Sequence, residues 1–208
     1  MKGILGKKLG MLQLWNEEGK RIGVTAVHAG PCAVLQVKNK DRDGYNAIQI
    51  AYNECKEKNV TKPEKGHQKI SFEKNKAYYA NSLELRDYSG EAPQVGDLIK
   101  CEIFTAGEKV MISAVAKGKG FQGVMKRHGF SGGRASHGFT THRETGSIGA
   151  GTDPGRVNVG KKMPGRMGGK KVTVRNLKVF RIVPEDNLIL IEGSVPGPNG
   201  APVFVYQK

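Results

Sequence analysis

The chain has 208 residues, 38% of them hydrophobic, so one large domain or two small ones can carry a sizeable core in at least part of it. No run approaches the roughly 18–20 apolar residues of a membrane span, and the basic start Met1–Lys8 lacks the apolar stretch of a secretory signal, so export is not expected. Thirty-four Lys and Arg against 19 Asp and Glu give +15, a field that favours a polyanionic partner, nucleic acid being the commonest.

Taken in chain order, Ile22–His28 and Ala33–Lys38 read as strands. The second leads through Asp43-Gly44 into Tyr45–Tyr52, and two alternating runs around a glycine-containing loop predict a hairpin. Cys32, Cys55 and Cys101 lie far apart and are odd in number, which reads as ordinary thiols in a reducing compartment rather than a disulfide framework or a metal site. A short helix is expected near Pro63–Ile70 and a strand near Leu83–Tyr88. Further strands are expected at Leu98–Phe104, Lys109–Val115, Val172–Val183 and Leu188–Glu192. Short strands with turn signals between them predict a small barrel or sandwich.

Between the last two pairs the composition changes. Residues 117–171 carry twelve cations and only two acids, Glu144 and Asp153, and so hold +10 of the total charge. Fifteen of the 29 glycines fall there as well, and large apolar side chains are too sparse to show a helical or strand period. Such a segment buries too little apolar surface to offset roughly 1–2 kcal/mol of backbone entropy per residue, so a negative partner is expected to order it. With strands on both sides it reads as an insertion, and each leg of about 27 residues spans at most roughly 90 Å. The candidate RNA-binding residues are the cations Lys117, Lys119, Lys126, Arg127, Arg134, Arg143, Arg156, Lys161, Lys162, Arg166, Lys170 and Lys171. With them stand the rings Phe121, Phe130, His128, His137 and His142, which suit stacking on bases or donation to phosphate. Phe139 completes a series of phenylalanines spaced by nine residues, for which packing within the loop is an equally good reading.

Two other patterns invite chemistry. Gly118-Lys119-Gly120-Phe121-Gln122-Gly123 fits a dinucleotide fingerprint, but the reading needs a helix of about a dozen residues next, and Val124–Gly133 holds too much glycine for one. The three histidines lack neighbouring Cys, Asp or Glu ligands, and Ser136 and Ser147 have no triad spacing to argue from, so no metal, cofactor or catalytic residue is expected.

The run Val115–Phe130, with Ser136-His137-Gly138, Gly146–Gly149, Pro154–Val157 and Gly160–Gly168, resembles the signature of large-subunit ribosomal protein number three in its bacterial form. Lys2–Met11 and Asn187–Gly197 match in the expected order, so the resemblance covers the whole chain. It implies a mainly β fold: a Greek-key barrel of the translation-protein type, with a small α/β insertion at about 55–95 and a long extended basic glycine-rich loop. The barrel would use residues 1–116 and 172–208, with 117–171 as the loop. It further implies a non-enzymatic constituent of the cytoplasmic ribosome, contacting 23S ribosomal RNA near its 3′ end and nucleating subunit assembly. The loop would run toward the peptidyl transferase region, with ribosomal proteins fourteen and nineteen as neighbours and neither DNA nor membrane as a partner. Met111 and Ala116 depart from the usual residues at the strand entering the loop, where small packing differences are expected. Ala150 stands where some members carry a methylated glutamine, so that modification is not expected. A general nucleic-acid coating protein and a nucleotide-using enzyme stand as the rival classes.

Overall fold

The computed structural model describes residues 1–86, 88 and 93–207. Its strands begin with β1 (Lys2–Trp15), β2 (Arg21–Ala29), β3 (Cys32–Lys38), β4 (Ala47–Cys55), β5 (Tyr78–Arg86) and β6 (Leu98–Ile99). They continue with β7 (Lys109–Val115), β8 (Phe121–Gln122), β9 (Gly165–Arg166), β10 (Lys171–Val183), β11 (Leu188–Glu192) and β12 (Pro202–Gln207). Four short helices complete the elements: α1 (Lys40–Asp43), α2 (Lys62–His67), α3 (Lys69–Asn75) and α4 (Val124–His128). By contact the chain divides into two compact units, Met1–Val115 with the chain from Lys171 onward, and Ala116–Lys170.

Alternating apolar residues explain the first unit. Val110, Ile112 and Ala114 of β7, Ile189 and Ile191 of β11, and Val203 and Val205 of β12 are all buried, each two residues from the next on its strand. Strands in the order β1-β12-β7-β10-β11-β2 close into a six-stranded antiparallel barrel. Within it β7, β10 and β11 follow one another as neighbours and β12 returns beside β7, which is a Greek key. Closure leaves the barrel no free edge.

A four-stranded antiparallel sheet, β5-β4-β3-β6, accompanies the barrel. Val34, Ile48, Ile50 and Leu85 on one of its faces join Ile4, Val27, Ile112 and Val205 of the barrel in a single core. The other face buries Ala33, Leu35, Ala51 and Tyr79. Here Gln68, between α2 and α3, clasps the Tyr79 backbone: its Nε2 donates to Tyr79 O (3.0 Å) and its Oε1 accepts from Tyr79 N (2.8 Å). The Thr61–Glu64 capping box starts α2, and its bonds hold the Glu64 carboxyl below the usual range. The predicted hairpin β3–β4 belongs to this sheet and not to the barrel.

Several expectations are corrected. Only Leu98–Ile99 of the predicted strand Leu98–Phe104 pairs as a strand; Cys101–Ile103 form a tight turn, and Cys101 and Phe104 are buried in the core. The strand expected at Leu83–Tyr88 runs instead over Tyr78–Arg86, and position 87 lies outside the described residues. Val124–His128 is helical despite the nearby glycines, because Gly129 at φ +73° caps the single turn from outside it. At five residues, in a chain whose described strand pairs are all antiparallel, it does not supply the long helix of a dinucleotide site.

Two lysines of the basic start serve the fold. The buried Lys8 ammonium donates to Val195 O (2.7 Å) and Gly197 O (3.2 Å), fixing the turn before β12. Lys2 pairs with Glu108 at 2.6 Å, tying the start of β1 to the turn before β7. Burial by itself would raise the Glu108 carboxyl, but hydrogen bonds from Lys2 and the Thr105 backbone bring it below its ordinary value.

Candidate nucleic-acid interface

Ala116–Lys170 folds with almost no apolar interior. Val124 is its only buried side chain. Backbone bonds and close glycine contacts hold it instead. At its base Ala116 N donates to Lys170 O (2.9 Å), Gly169 N to Ala116 O (3.1 Å), Lys119 N to Met167 O (2.9 Å) and Met167 N to Gly120 O (2.9 Å). Gly168, at φ +73°, fits because it lacks a Cβ, which would overlap the Lys117 carbonyl oxygen. Beyond this stem the paired β8 and β9 make a two-stranded ribbon.

The helix α4 is pinned to the returning chain by two of the candidate residues. Arg127 Nη1 donates to Met163 O at 2.6 Å, and His128 Nε2 lies 3.1 Å from the same oxygen. A carbonyl only accepts, so Nε2 carries a proton in this contact. Farther out Gly133 N donates to His142 O (3.1 Å), and His142 Nδ1 donates to Arg134 O (2.7 Å). Phe130 tilts against His128 at 6.1 Å and Phe139 against His142 at 6.4 Å. Between Gly146 and Lys162 the bonds are short and local, such as Ser147 Oγ to Gly149 O (3.1 Å) and Gly155 N to Gly151 O (3.2 Å).

The candidate residues thus separate into two groups. Arg127, His128 and His142 each have a bond within the unit, and Phe130 is half-buried. Lys117, Lys119, Lys126, Arg134, Arg143, Arg156, Lys161, Lys162, Arg166 and Lys170 are exposed, as are Phe121 and His137. None of these cations has an ion-pair partner among the described residues, whose ion pairs all lie in the other unit. Like charges crowded on a glycine-rich backbone repel one another, and an anionic surface relieves that.

The barrel carries cations that the loop-centred sequence reading passed over. Arg175, Lys178 and Arg181 are exposed along β10, in line after the candidate Lys171 at its start, and Lys178 stands directly opposite the exposed Lys109 of β7. Opposed like charges disfavour a strand pair. Their spacing within Val172–Val183 was available as a signal, but each was read only as part of a strand.

The chemistry of the other unit points to no reactive centre among the groups whose titration is displaced. Burial pushes the Cys32 thiol up to about 12, opposed in part by its bond to Leu5 O, so it stays protonated and inert. Hydrogen bonds between Lys38 and Glu84, with Tyr45 alongside, raise the amine and lower the carboxyl, the signature of a structural pair. Between the neighbouring barrel strands β7 and β10 the chain thus carries a unit with one buried side chain and many exposed cations. The family described as Ribosomal protein L3 matches over residues 48–187, about two thirds of the chain and all of the basic unit, and the chain belongs to that family of structural constituents of the large ribosomal subunit.

Proposed function

We propose that this protein binds 23S ribosomal RNA near its 3′ end, helps nucleate assembly of the large subunit, and places Ala116–Lys170 among RNA helices toward the peptidyl transferase region. The observation that carries the reading is the unit itself: ten exposed cations with no ion-pair partner among the described residues, on a segment with one buried side chain. Lysines and arginines neutralise phosphates where RNA strands approach each other, and released counterions supply much of the free energy. Guanidinium groups of Arg134, Arg143, Arg156 and Arg166 can hold two phosphate oxygens in a planar fork or stack on bases, a geometry the lysine ammonium groups lack. Near Gly146–Gly151 the backbone carries small uncharged side chains, and the Ser147 hydroxyl is bonded to a backbone carbonyl. An influence of this stretch on peptide transfer would act by holding RNA in shape. Ribosomal proteins fourteen and nineteen are the protein neighbours this reading assigns.

The test compares the whole chain with one in which 118–170 are replaced by a short Gly/Ser linker, on a 3′-terminal rRNA fragment and on random duplex across a salt series. Val115 and Lys171 are direct partners in the β7–β10 ladder, so a short linker can rejoin them. Six to ten phosphate contacts would weaken binding by about 10³–10⁵ between 50 and 200 mM salt. Loss of affinity and a flatter slope in the deletion support the reading. Unchanged affinity and slope assign binding to the barrel, and equal binding to random duplex favours a general coating protein.

A further inference from the structure

We infer that Phe121 and Arg166 form a seat for one unpaired nucleotide, its base stacked on the ring and a phosphate held by the guanidinium; this rests on the RNA-binding reading above. The two residues are direct cross-strand partners in the β8–β9 ribbon, which puts their side chains on one face. The unit itself occupies the other face. There the Gln122 amide donates to Lys119 O, and the Arg127 guanidinium lies against Gly165, with Nη1 2.7 Å from where a Cβ would stand.

Phe121 is left open in a way the other loop phenylalanines are not. It is 76% exposed, against 43% for Phe139, and it has no ring neighbour while Phe130 and Phe139 each lean on a histidine. No cation among the described residues lies over its ring, so the aromatic face is open, and the Arg166 guanidinium lies toward Gly169, its Nη2 3.5 Å from where a Cβ would stand there. A single exposed apolar side chain needs no explanation. This one is held on a backbone-bonded ribbon, with Lys119 N and Met167 N both donating across it, and its cross-strand partner is a cation with no carboxylate partner among the described residues. That pairing of a flat apolar face with a positive charge fits a nucleotide, and a base within a duplex has no free face to offer. An RNA single strand or bulge therefore suits the seat better than a helix or a protein surface.

The test uses the full chain and protein-free large-subunit rRNA, with F121L, F121W and R166Q compared across a salt series. Stacking on one aromatic ring is worth about a five- to hundredfold change in affinity. F121L is expected to weaken binding within that range at an unchanged salt slope, and F121W to bind within about twofold of wild type. R166Q is expected to weaken binding and to flatten the slope by about one. Photocrosslinking of the wild-type complex should join Phe121 to an unpaired nucleotide. Wild-type affinity in F121L, or a crosslink to a paired nucleotide, overturns the seat. If R166Q still flattens the slope in that case, the RNA reading survives and Phe121 belongs to a protein neighbour. If the wild-type chain shows no salt-dependent preference for rRNA over random duplex, the RNA reading falls and the seat with it.

Discussion

Replacing Gly168 with Ala should open the stem of the basic unit while leaving the barrel intact. Gly168 sits at φ +73°, and a Cβ there overlaps Lys117 O and lies 3.1 Å from both Gly118 Cα and Lys117 C. All three atoms are backbone, so no side-chain rotation relieves the overlap. The left-handed conformation alone costs an alanine about 1–2 kcal/mol. Relieving the overlap requires the two stem segments to part, and four backbone hydrogen bonds join them. At about 0.5–1.5 kcal/mol net for each bond, the change should reach about 3 kcal/mol or more. Gly160→Ala is the control: φ is +81°, but nothing stands within 4 Å of the added carbon, so only the conformational cost applies.

Amide hydrogen exchange reads the difference directly. In Gly168→Ala the amides of Ala116, Lys119, Met167 and Gly169 should exchange about a hundredfold faster, since about 3 kcal/mol is two decades. Barrel amides in β7 and β12 should not change. In Gly160→Ala the stem amides should behave as in the wild type. Stem protection in Gly168→Ala equal to that in Gly160→Ala would refute the argument, because it would mean that the backbone contact at Lys117 does not constrain the stem.

Two further outcomes follow from the other unit. The Glu108 carboxyl lies below its ordinary value of 4.5, so its stabilisation is present above that pH and is lost as pH falls through the lowered value. Glu108→Gln should cost about 1 kcal/mol in urea unfolding at pH 7, and the gap from wild type should narrow as the pH is taken down through the lowered value; a gap independent of pH sinks the assignment. Native protein at pH 8 should react with a thiol reagent at Cys55 alone, because Cys32 and Cys101 are buried, and all three should react in denaturant; two fast thiols in the folded protein would contradict the core.

How much of this was legible in the sequence depends on whether the cause was local. The alternation of Val110, Ile112 and Ala114, and of Ile189 and Ile191, announces half-buried strands without help from the rest of the chain. The long strand β1 does not announce itself, because Gly3, Gly6 and Gly10 break its pattern. One of those glycines answers to a distant neighbour: a Cβ on Gly6 would stand 2.5 Å from His28 O on the paired strand. The closing strand β12 went unread as well, although Val203 and Val205 alternate inward, because it is short and opens on a proline. Its place between β1 and β7 is a fact of topology that no local pattern carries.

The basic unit inverts the usual relation between composition and structure. Its charge and glycine content pointed to a partner, and its one buried side chain agrees that hydrophobic burial is not what shapes it. What composition could not do was sort the cations and rings by role. Arg127 and Arg166 are equally arginine in sequence, yet the first reaches Met163 O within the unit and the second stands exposed beside Phe121. The difference comes from the ribbon: in a two-stranded element successive residues face opposite sides, so one side can be closed by the unit's own groups while the other stays open. A unit of this kind makes its shape from backbone bonds and from glycines where chains cross, which leaves its long side chains unclaimed. On the proposed function that division has a use: the residues that fix the fold are mostly uncharged, and the charges are left available to a polyanionic partner.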